Sequence, residues 1–303
     1  MSAIRRTGPG PIAATACAAL LACAAVVVPA RADDSANAEA ERIARRDREL
    51  IEARLRQMPA PVPGVPDLYA IAFAGDGDEH VFRNEALYFE ELATVRYGAA
   101  GRTLALVNHP RSLDSDPRPL ATLGNLRAAL QGVGRLMDPD EDLLLLFLTT
   151  HGSPDHALSM RLEGHVDAGL RPAELREALD ASGIRHRLLI VSACFSGGFI
   201  PALADPSTLV ITAARHDRPS FGCGDSGSAT WFGRALLVEG LNRDDGLVGA
   251  FDYAKRQVAR RETMDDVEPS YPQISIGADI ATRLQAWEAH LARRPRLPYP
   301  HPF

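Results

Sequence analysis

The sequence predicts a three-layer α/β sandwich built on a mainly parallel, six-stranded sheet. Six short runs are almost continuously apolar, which is typical of strands that are covered on both faces. Amphipathic segments of helical spacing lie between these runs, and such alternation favours parallel strands joined by right-handed crossovers. In chain order the strand-like runs are LYAIAFAG, TLALVNH, LLLLFLTT, RLLIVSAC, STLVITAA and QISIG.

The segments between the strands have the apolar spacing of helices. In residues 120–137, Leu126, Leu130 and Val133 recur at i, i+4 and i+7, which places them on one helical face. In residues 171–181, Pro172 falls in the first turn, where a helix tolerates proline. The remaining predicted helices are residues 85–97, 230–241, 247–262 and 278–292.

Residues 1–32 have the three parts of an export signal. Arg5 and Arg6 precede a long apolar stretch, and the small residues of "ARA" end just before Asp33. Cleavage after Ala32 gives a protein that is periplasmic or secreted. Two alternatives stay open: a lipid anchor on Cys23, which lies in the lipoprotein-like sequence "LLAC", or a retained membrane anchor.

The rest of the chain divides into a linker, one large domain and a tail. Residues 33–66 are charged and alanine-rich and end in "PAPVPGVP", which predicts a solvated helix followed by a stiff proline linker. We expect the folded domain to occupy residues 67–292. The proline-rich residues 293–303 are expected to be a loose end.

Composition excludes several classes of partner. The 303 residues are 46% hydrophobic and 24% charged, as in an ordinary globular protein. The net charge is −6, and it would be about −9 without the signal, which argues against nucleic acid or an anionic membrane as a partner. Beyond the signal, no segment is apolar over the ~18 residues that a transmembrane helix needs.

Two of the predicted strands end in reactive side chains. His151 follows "LLLLFLTT" and Cys194 ends "RLLIVSAC". Because the carboxyl ends of parallel strands lie at one edge of a sheet, both residues are expected at that edge. An imidazole beside a thiol makes the thiol a strong nucleophile. The backbone amides of Gly152 and Cys194 are the natural donors for a developing oxyanion. Either residue alone would be an ordinary loop or core residue, but the pair favours a catalytic site.

The segments "FLTTHGS" and "LLIVSACFSGG" resemble the His-Gly and Ala-Cys blocks of the caspase-like cysteine peptidases, and most closely those of the legumain family. "AIAFAGDGDEHVFRNEA" and "ITAARHDRPSFGC" extend the similarity. The resemblance implies a caspase/legumain-like fold. It also implies a hydrolase that cleaves peptide or protein substrates through a thioester, without cofactor or metal. Cys194 would be the nucleophile and His151 the general base and acid.

The resemblance also implies further site residues, with departures from the legumain pattern. Where legumains place an asparagine that orients the histidine, this chain has Gly77, flanked by Asp76 and Asp78. Either aspartate, with Asp76 preferred, or a backbone carbonyl as in caspases, is expected to orient His151.

The substrate pocket departs from the legumain pattern as well. Arg83 matches a pocket arginine, and Ser220 lies in the matching "SFGC" segment. Two acidic pocket positions are replaced by Ser192 and Arg234. With guanidinium groups and no balancing carboxylate, the pocket is expected to prefer an acidic side chain before the scissile bond. The alternative that stays open is that Arg83 pairs with Glu85 or Asp78 and that Arg234 lies on the solvated face of its helix. Cys223 is expected to be buried and unpaired.

Weaker motifs predict other chemistry and are set aside on physical grounds. "GDSGS" imitates the nucleophile motif of trypsin-like peptidases, which are all-β proteins. "HGSPDH" with His165 fits no common zinc spacing, and "AGDGDEH" lacks the closing glutamate of a calcium loop. No phosphate-binding glycine loop is present. Two alternatives stay open: a transpeptidase that uses the same thioester, and an inactive peptide-binding module on the same fold.

Overall fold

The computed structural model describes residues 8, 10, 31–224, 227–292 and 295–302, with only the backbone of residues 31–36. Six strands form the main sheet, and two more form a separate hairpin. The strands are β1 (Leu68–Ala74), β2 (Thr103–Val107), β3 (Leu143–Thr149), β4 (Leu158–Leu162), β5 (Val166–Leu170), β6 (His186–Ser192), β7 (Thr208–Thr212) and β8 (Gln273–Ile276).

Eight α-helical segments connect and cover these strands. They are α1 (Arg31–Gln57), α2 (His80–Arg96), α3 (Leu123–Gly134), α4 (Pro172–Ala181), α5 (Ile200–Leu203), α6 (Trp231–Gly233), α7 (Gly246–Met264) and α8 (Ala278–His290). A π-helix, Arg234–Gly240, continues directly from α6. Short 3₁₀ turns occur at Pro110–Leu113 and Ser196–Phe199.

The main sheet has the strand order β2-β1-β3-β6-β7-β8. The first five strands are parallel, and β8 pairs antiparallel with β7 at one edge. The predicted three-layer α/β sandwich with a mainly parallel six-stranded sheet is therefore confirmed. All six apolar runs found in the sequence are strands of this sheet.

The sheet is covered on both faces, as its continuous apolar strands predict. In β1, Leu68, Ala70 and Ala72 pack with α2, α7 and α8 on one face. Tyr69, Ile71 and other alternate residues pack with α3 and α4 on the opposite face. Because successive side chains of a strand point to opposite faces, only a strand that is apolar throughout can be buried this way.

The packing of α1 differs from the predicted solvated helix. The compact unit that contains the sheet begins at Ala40. Ile51 is buried in the core, and the buried carboxylate of Asp47 accepts hydrogen bonds from the Leu120 amide and the Asn125 side chain. At Gly132 of α3, a Cβ would lie 2.2 Å from a methyl carbon of Leu55, so glycine permits the close helix approach. Residues 40–57 are thus an integral part of the domain.

Several element boundaries also differ from the sequence-based expectation. Helix α2 begins at His80, five residues earlier than predicted. The predicted helix 230–241 is a single α-turn followed by the π-helix. The hairpin β4–β5 was not predicted. The tail was wrongly expected to be loose, since Leu297 and Tyr299 pack against the core.

Of the predicted export signal, the structure describes only residues 8, 10, 31 and 32, so the cleavage site and Cys23 lie outside the described residues or at their limit. Among the described helices, none combines the length and the apolar composition that crossing a bilayer requires.

Candidate active site

The two reactive side chains come from neighbouring parallel strands. Thr149 at the end of β3 is paired in register with Ser192 at the end of β6. His151 and Cys194 each lie two residues beyond this pair. The sheet therefore delivers both residues to the same edge, as the sequence predicts.

The turn that carries His151 packs directly on the backbone of Cys194. A Cβ at Gly152 would lie 2.1 Å from the Cys194 carbonyl oxygen and 3.3 Å from the Ala193 side chain. Only glycine fits this contact, because any other residue would displace one of the two chains. The Gly152 position is thus fixed relative to Cys194.

The thiol of Cys194 is half-buried and contacts Ser220. The Ser220 amide donates a hydrogen bond to Sγ over 3.2 Å, and the Ser220 carbonyl oxygen lies 3.4 Å from Sγ, where it accepts from the thiol. The Ser220 hydroxyl oxygen lies 3.8 Å from Sγ. Both the protonated and the ionised sulfur therefore have a backbone partner in this segment.

The ring of His151 is held by an aromatic contact. Phe82 of α2 meets it edge-on, with ring centroids 4.9 Å apart and an interplanar angle of 84°. No described residue makes a hydrogen bond to the imidazole nitrogens of His151. The backbone of His151 is fixed instead, because its carbonyl accepts from the Ser159 amide over 2.9 Å.

Two backbone amides at this edge are available to a substrate. Within the described chain, neither the Gly152 amide nor the Cys194 amide donates a hydrogen bond to another group. Amides without an internal acceptor are free to bind a developing oxyanion that lies within hydrogen-bond distance.

The residue after Cys194 adopts a left-handed conformation that redirects the chain. Phe195 has φ 56°, which is unfavourable for a non-glycine residue. Its amide donates to the Arg218 carbonyl over 2.8 Å, and its carbonyl lies 3.2 Å from Nδ1 of His156. At Gly198, a Cβ would lie 2.2 Å from the His156 ring. These contacts hold the sharp turn that exposes the thiol.

The comparisons with known proteins give one decisive result. The sequence profile of the Peptidase C13 family matches residues 120–282, which is more than half of the chain and includes His151 and Cys194. The chain belongs to the Peptidase C13 family.

Comparisons with curated proteins and with solved structures give two further findings. No curated protein matches the sequence. Among solved structures, caspase-1 from Spodoptera frugiperda is similar over 72% of this chain and 92% of its own, with 17% sequence identity and a TM-score of 0.47. The legumain-like resemblance seen in the sequence is confirmed by the family match.

Neither aspartate of the loop after β1 makes a hydrogen bond or an ion pair with the His151 ring in the part of the chain that the structure describes. The buried carboxylate of Asp76 accepts from the Ser159 hydroxyl over 2.8 Å and from the Asp78 amide over 3.0 Å. Asp78 is exposed and pairs with Arg161 at 2.7 Å. Asp76 is therefore one step removed from His151, because the Ser159 amide donates to the His151 carbonyl. The expected direct carboxylate–imidazole bond is absent from the described residues.

The arginines expected in the substrate pocket are balanced by carboxylates. Arg83 pairs with Asp116 at 2.8 Å, and Arg234 pairs with Glu239 at 3.0 Å. The expectation of a preference for acidic side chains assumed guanidinium groups without such partners, and that assumption is wrong. Ser192 is buried at the end of β6.

Cys223 is partly buried against the core on the α2 side. Burial raises the pKa of its thiol, with the charge of Cys194 as the next cause. Both described cysteines are free, as expected.

Among the described residues, no cluster of three or more histidine, cysteine or acidic side chains could hold a metal ion.

A buried glutamate that the sequence did not reveal joins three elements beside the site. Glu85 of α2 accepts from the Thr149 hydroxyl over 2.6 Å, and from the amide and hydroxyl of Thr230, both over 2.7 Å. Burial raises the pKa of Glu85, and the threonine donors oppose this. Glu85 thereby ties the end of β3 to the start of α6. The position of Glu85 in a helix does not by itself indicate that its side chain forms these hydrogen bonds.

A histidine pair borders the Arg83 ion pair. Nδ1 of His109 accepts from the Arg111 amide over 3.1 Å, so the neutral ring carries its proton on Nε2. That nitrogen lies 3.2 Å from Nδ1 of His80 and donates to it. Burial, followed by the charge of Arg83, lowers the pKa of His109 to about 4.

The low pKa of His109 predicts a loss of stability on acidification. An unfolded histidine titrates near 6.5, so between about pH 6.5 and 4 the unfolded state takes up a proton that the folded state does not. The contribution of neutral His109 to the free energy of unfolding is therefore fully present above about pH 6.5. It is lost as the pH falls through this range, and the loss is on the order of 2–3 kcal/mol. Denaturant unfolding at pH 7.5, 5.5 and 4.5 measures the loss.

The variant His109→Asn isolates this effect. Asparagine retains the cap on the Arg111 amide and does not titrate. We expect its stability to fall less steeply with acidification than that of the natural chain, while His165→Asn, at an exposed turn, keeps the natural slope. Equal slopes for all three proteins would contradict the assignment.

Proposed function

We propose that this C13 chain is a cysteine endopeptidase in which Cys194 is the nucleophile and His151 is the general base and acid. The observation that carries the proposal is the pairing of the two strand ends. His151 and Cys194 each lie two residues beyond the register pair Thr149–Ser192, and Gly152 is packed against the Cys194 carbonyl. Family membership supports the coarser assignment of a cysteine peptidase.

The acylation step uses the contacts around Cys194. Sγ attacks the carbonyl carbon of the scissile bond while His151 takes the thiol proton. The carbonyl electron pair moves onto oxygen, which the Gly152 and Cys194 amides stabilise. As the C–N bond breaks, His151 gives the proton to the leaving amine. The product is a thioester on Cys194.

Deacylation repeats these chemical steps with water as the nucleophile. His151 removes a proton from water, the hydroxide oxygen attacks the thioester carbon, and the same amides stabilise the second oxyanion. The C–S bond breaks, the thiolate recovers the proton from His151, and a carboxylic acid leaves. An amine in place of water would give a new peptide bond, which is the transpeptidase alternative.

A positional peptide library tests the proposal. The full chain is incubated with the library at several pH values, with and without an added amine nucleophile, and the products are identified by mass spectrometry. A new carboxyl terminus from cleavage supports the endopeptidase. Exclusive ligation to the amine would support the transpeptidase, and absence of any product over this range would support an inactive binding module.

The two aspartates of the β1 loop are expected to differ in their effect on the rate. Asp76→Ala frees the Ser159 hydroxyl and loosens the strand whose amide holds the His151 carbonyl, and we expect kcat to fall about tenfold, or ~1.4 kcal/mol in the barrier. Asp78→Ala removes only an exposed ion pair and is expected to leave kcat within about twofold.

Steady-state kinetics of both aspartate variants provide the measurement, with Asp78→Ala as the matched control in the same loop. Equal kcat values for the two variants would show that Asp76 does not help to position His151.

A further inference from the structure

The last residues that the structure describes, 295–302, form a segment without helix or strand, which we call the C-terminal arm. Leu297, Tyr299 and His301 are partly buried, whereas the residues between them are exposed. Each of these three inward residues precedes a proline, which restricts it to extended conformations. The sequence "LPYPHP" therefore stiffens the arm before it docks, and docking costs less conformational entropy than it would for a flexible tail.

The arm is anchored at Leu297. The Leu297 amide donates to the Asn242 side chain over 2.8 Å. The Leu297 carbonyl accepts from the Tyr88 hydroxyl over 2.8 Å and from the Asn242 amide group over 3.0 Å. Tyr88 and Asn242 are both buried, so the anchor is part of the domain and not a surface contact.

Beyond this anchor the arm reaches toward the edge that carries the candidate site. The Tyr299 ring meets the Tyr88 ring edge-on, with centroids 4.9 Å apart. The Tyr299 hydroxyl donates to the Ser228 carbonyl over 2.6 Å, and the Asn84 side chain donates to the same oxygen over 3.2 Å. Burial, followed by the charge of Glu85, raises the pKa of Tyr299, so its hydroxyl is a donor throughout the neutral range.

Ser228 belongs to the segment that contacts the thiol, which we call the Ser220 loop (residues 218–224 and 227–231). The loop folds back on itself, because the Trp231 amide donates to the Phe221 carbonyl over 3.0 Å and the two rings lie 5.4 Å apart. Ser220, next to Phe221, donates its amide to Sγ of Cys194. A bond at Ser228 thus restrains one side of a loop whose other side touches the nucleophile.

We infer that Tyr299 is a positioning residue for the candidate active site, in which it braces the Ser220 loop through Ser228 and so holds Ser220 against Cys194. This inference rests on the proposed peptidase function. The C-terminal arm therefore supports activity. It does not block the site.

The bracing is tested first by a measurement that needs no catalysis. Alkylation of Cys223 by iodoacetamide is followed by mass spectrometry of its peptide in full-length Cys194→Ala protein. Because Cys223 lies in the Ser220 loop and is partly buried, Tyr299→Phe is expected to raise its alkylation rate at least fivefold. The matched control is Tyr97→Phe, which also removes a tyrosine hydroxyl bond to a backbone carbonyl, here that of Leu241 at 2.7 Å, but beyond the far end of α2.

The second measurement is steady-state cleavage by the same tyrosine variants with Cys194 intact. Tyr299→Phe is expected to lower kcat/KM at least fivefold, and a chain ended after Ala292 should lose more. Tyr97→Phe is expected to lower the Tm to a similar extent as Tyr299→Phe, yet to leave kcat/KM and the Cys223 rate within twofold.

Each outcome decides the inference. An unchanged Cys223 rate in Tyr299→Phe overturns the bracing, whatever the protein catalyses. A rise in kcat/KM on removal of the arm overturns it as well, since the arm would then obstruct the site. If the natural chain cleaves no peptide, the proposed function fails, and the Cys223 rate still decides whether Tyr299 holds the loop.

Discussion

Replacement of Cys194 by alanine is expected to abolish peptide cleavage, with kcat/KM at least about 10⁴-fold below that of the natural chain, and to leave the fold intact. The large effect is expected because removal of a covalent nucleophile leaves only binding and oxyanion stabilisation. The thiol is half-buried and makes its contacts with Ser220, so its loss leaves no large cavity in the core. The Tm should change by only a few degrees.

A thiol-directed peptide electrophile provides an independent measurement of the same prediction. The natural chain is expected to be labelled at Cys194, and Cys194→Ala should show no comparable labelling. The matched control is Cys223→Ala, which removes the partly buried thiol whose pKa is raised and should retain both labelling and cleavage. Continued cleavage by Cys194→Ala would place the nucleophile elsewhere and contradict the mechanism.

Replacement of Gly152 by alanine is expected to lower kcat by at least about 10²-fold. The added Cβ would lie 2.1 Å from the Cys194 carbonyl oxygen, so either the His151 turn or the Cys194 backbone must move. Such a movement misplaces the Gly152 amide, and the loss of one oxyanion donor alone typically costs 10²–10³-fold in kcat. It would also change the position of His151 relative to the Cys194 backbone.

A second glycine separates this local effect from general destabilisation. Gly124 lies at the start of α3, and a Cβ there would approach only the Thr122 hydroxyl oxygen, at 4.0 Å. Gly124→Ala should therefore leave kcat unchanged and should raise stability slightly through helix propensity. Circular dichroism checks that Gly152→Ala is folded. A folded Gly152→Ala with natural kcat would show that the amide of residue 152 takes no part in the reaction.

The sheet and the placement of His151 and Cys194 at one edge were predictable because both depend on local patterns. A strand buried on two faces must be apolar at every position, so β1, β3 and β6 stand out in the sequence. In addition, the carboxyl ends of parallel strands all lie at the same edge of the sheet. His151 and Cys194 could therefore be placed at one edge before any contact was known.

The remaining parts of the site depend on contacts between segments that are distant in sequence. Helix α2 begins with the weakly patterned residues 80–84, and its start at His80 is fixed by packing, including that of Phe82 against His151. The Asp76 carboxylate binds Ser159, a residue of the unpredicted hairpin β4–β5. The periodic spacing of apolar residues in the sequence predicts neither contact.

The partners of the pocket arginines and the packing of helix α1 were the hardest features to predict, because they also depend on contacts between distant segments. The partners of Arg83 and Arg234, which are Asp116 and Glu239, occupy positions that a motif comparison does not consider. Helix α1 was expected to be solvated because it is highly charged, yet one buried aspartate satisfies two donors of the domain and helps to dock it.

The environment of Glu85 constrains which substitutions this chain can accept beside the candidate site. A Cβ at Gly233 would lie 1.9 Å from Oε1 of Glu85, so the two positions share one volume. A lineage that acquires a side chain at 233 must first shorten residue 85, and the threonines at 149 and 230 then lose their common acceptor. Substitutions at these four positions are therefore expected to appear together in evolution, as a coupled set.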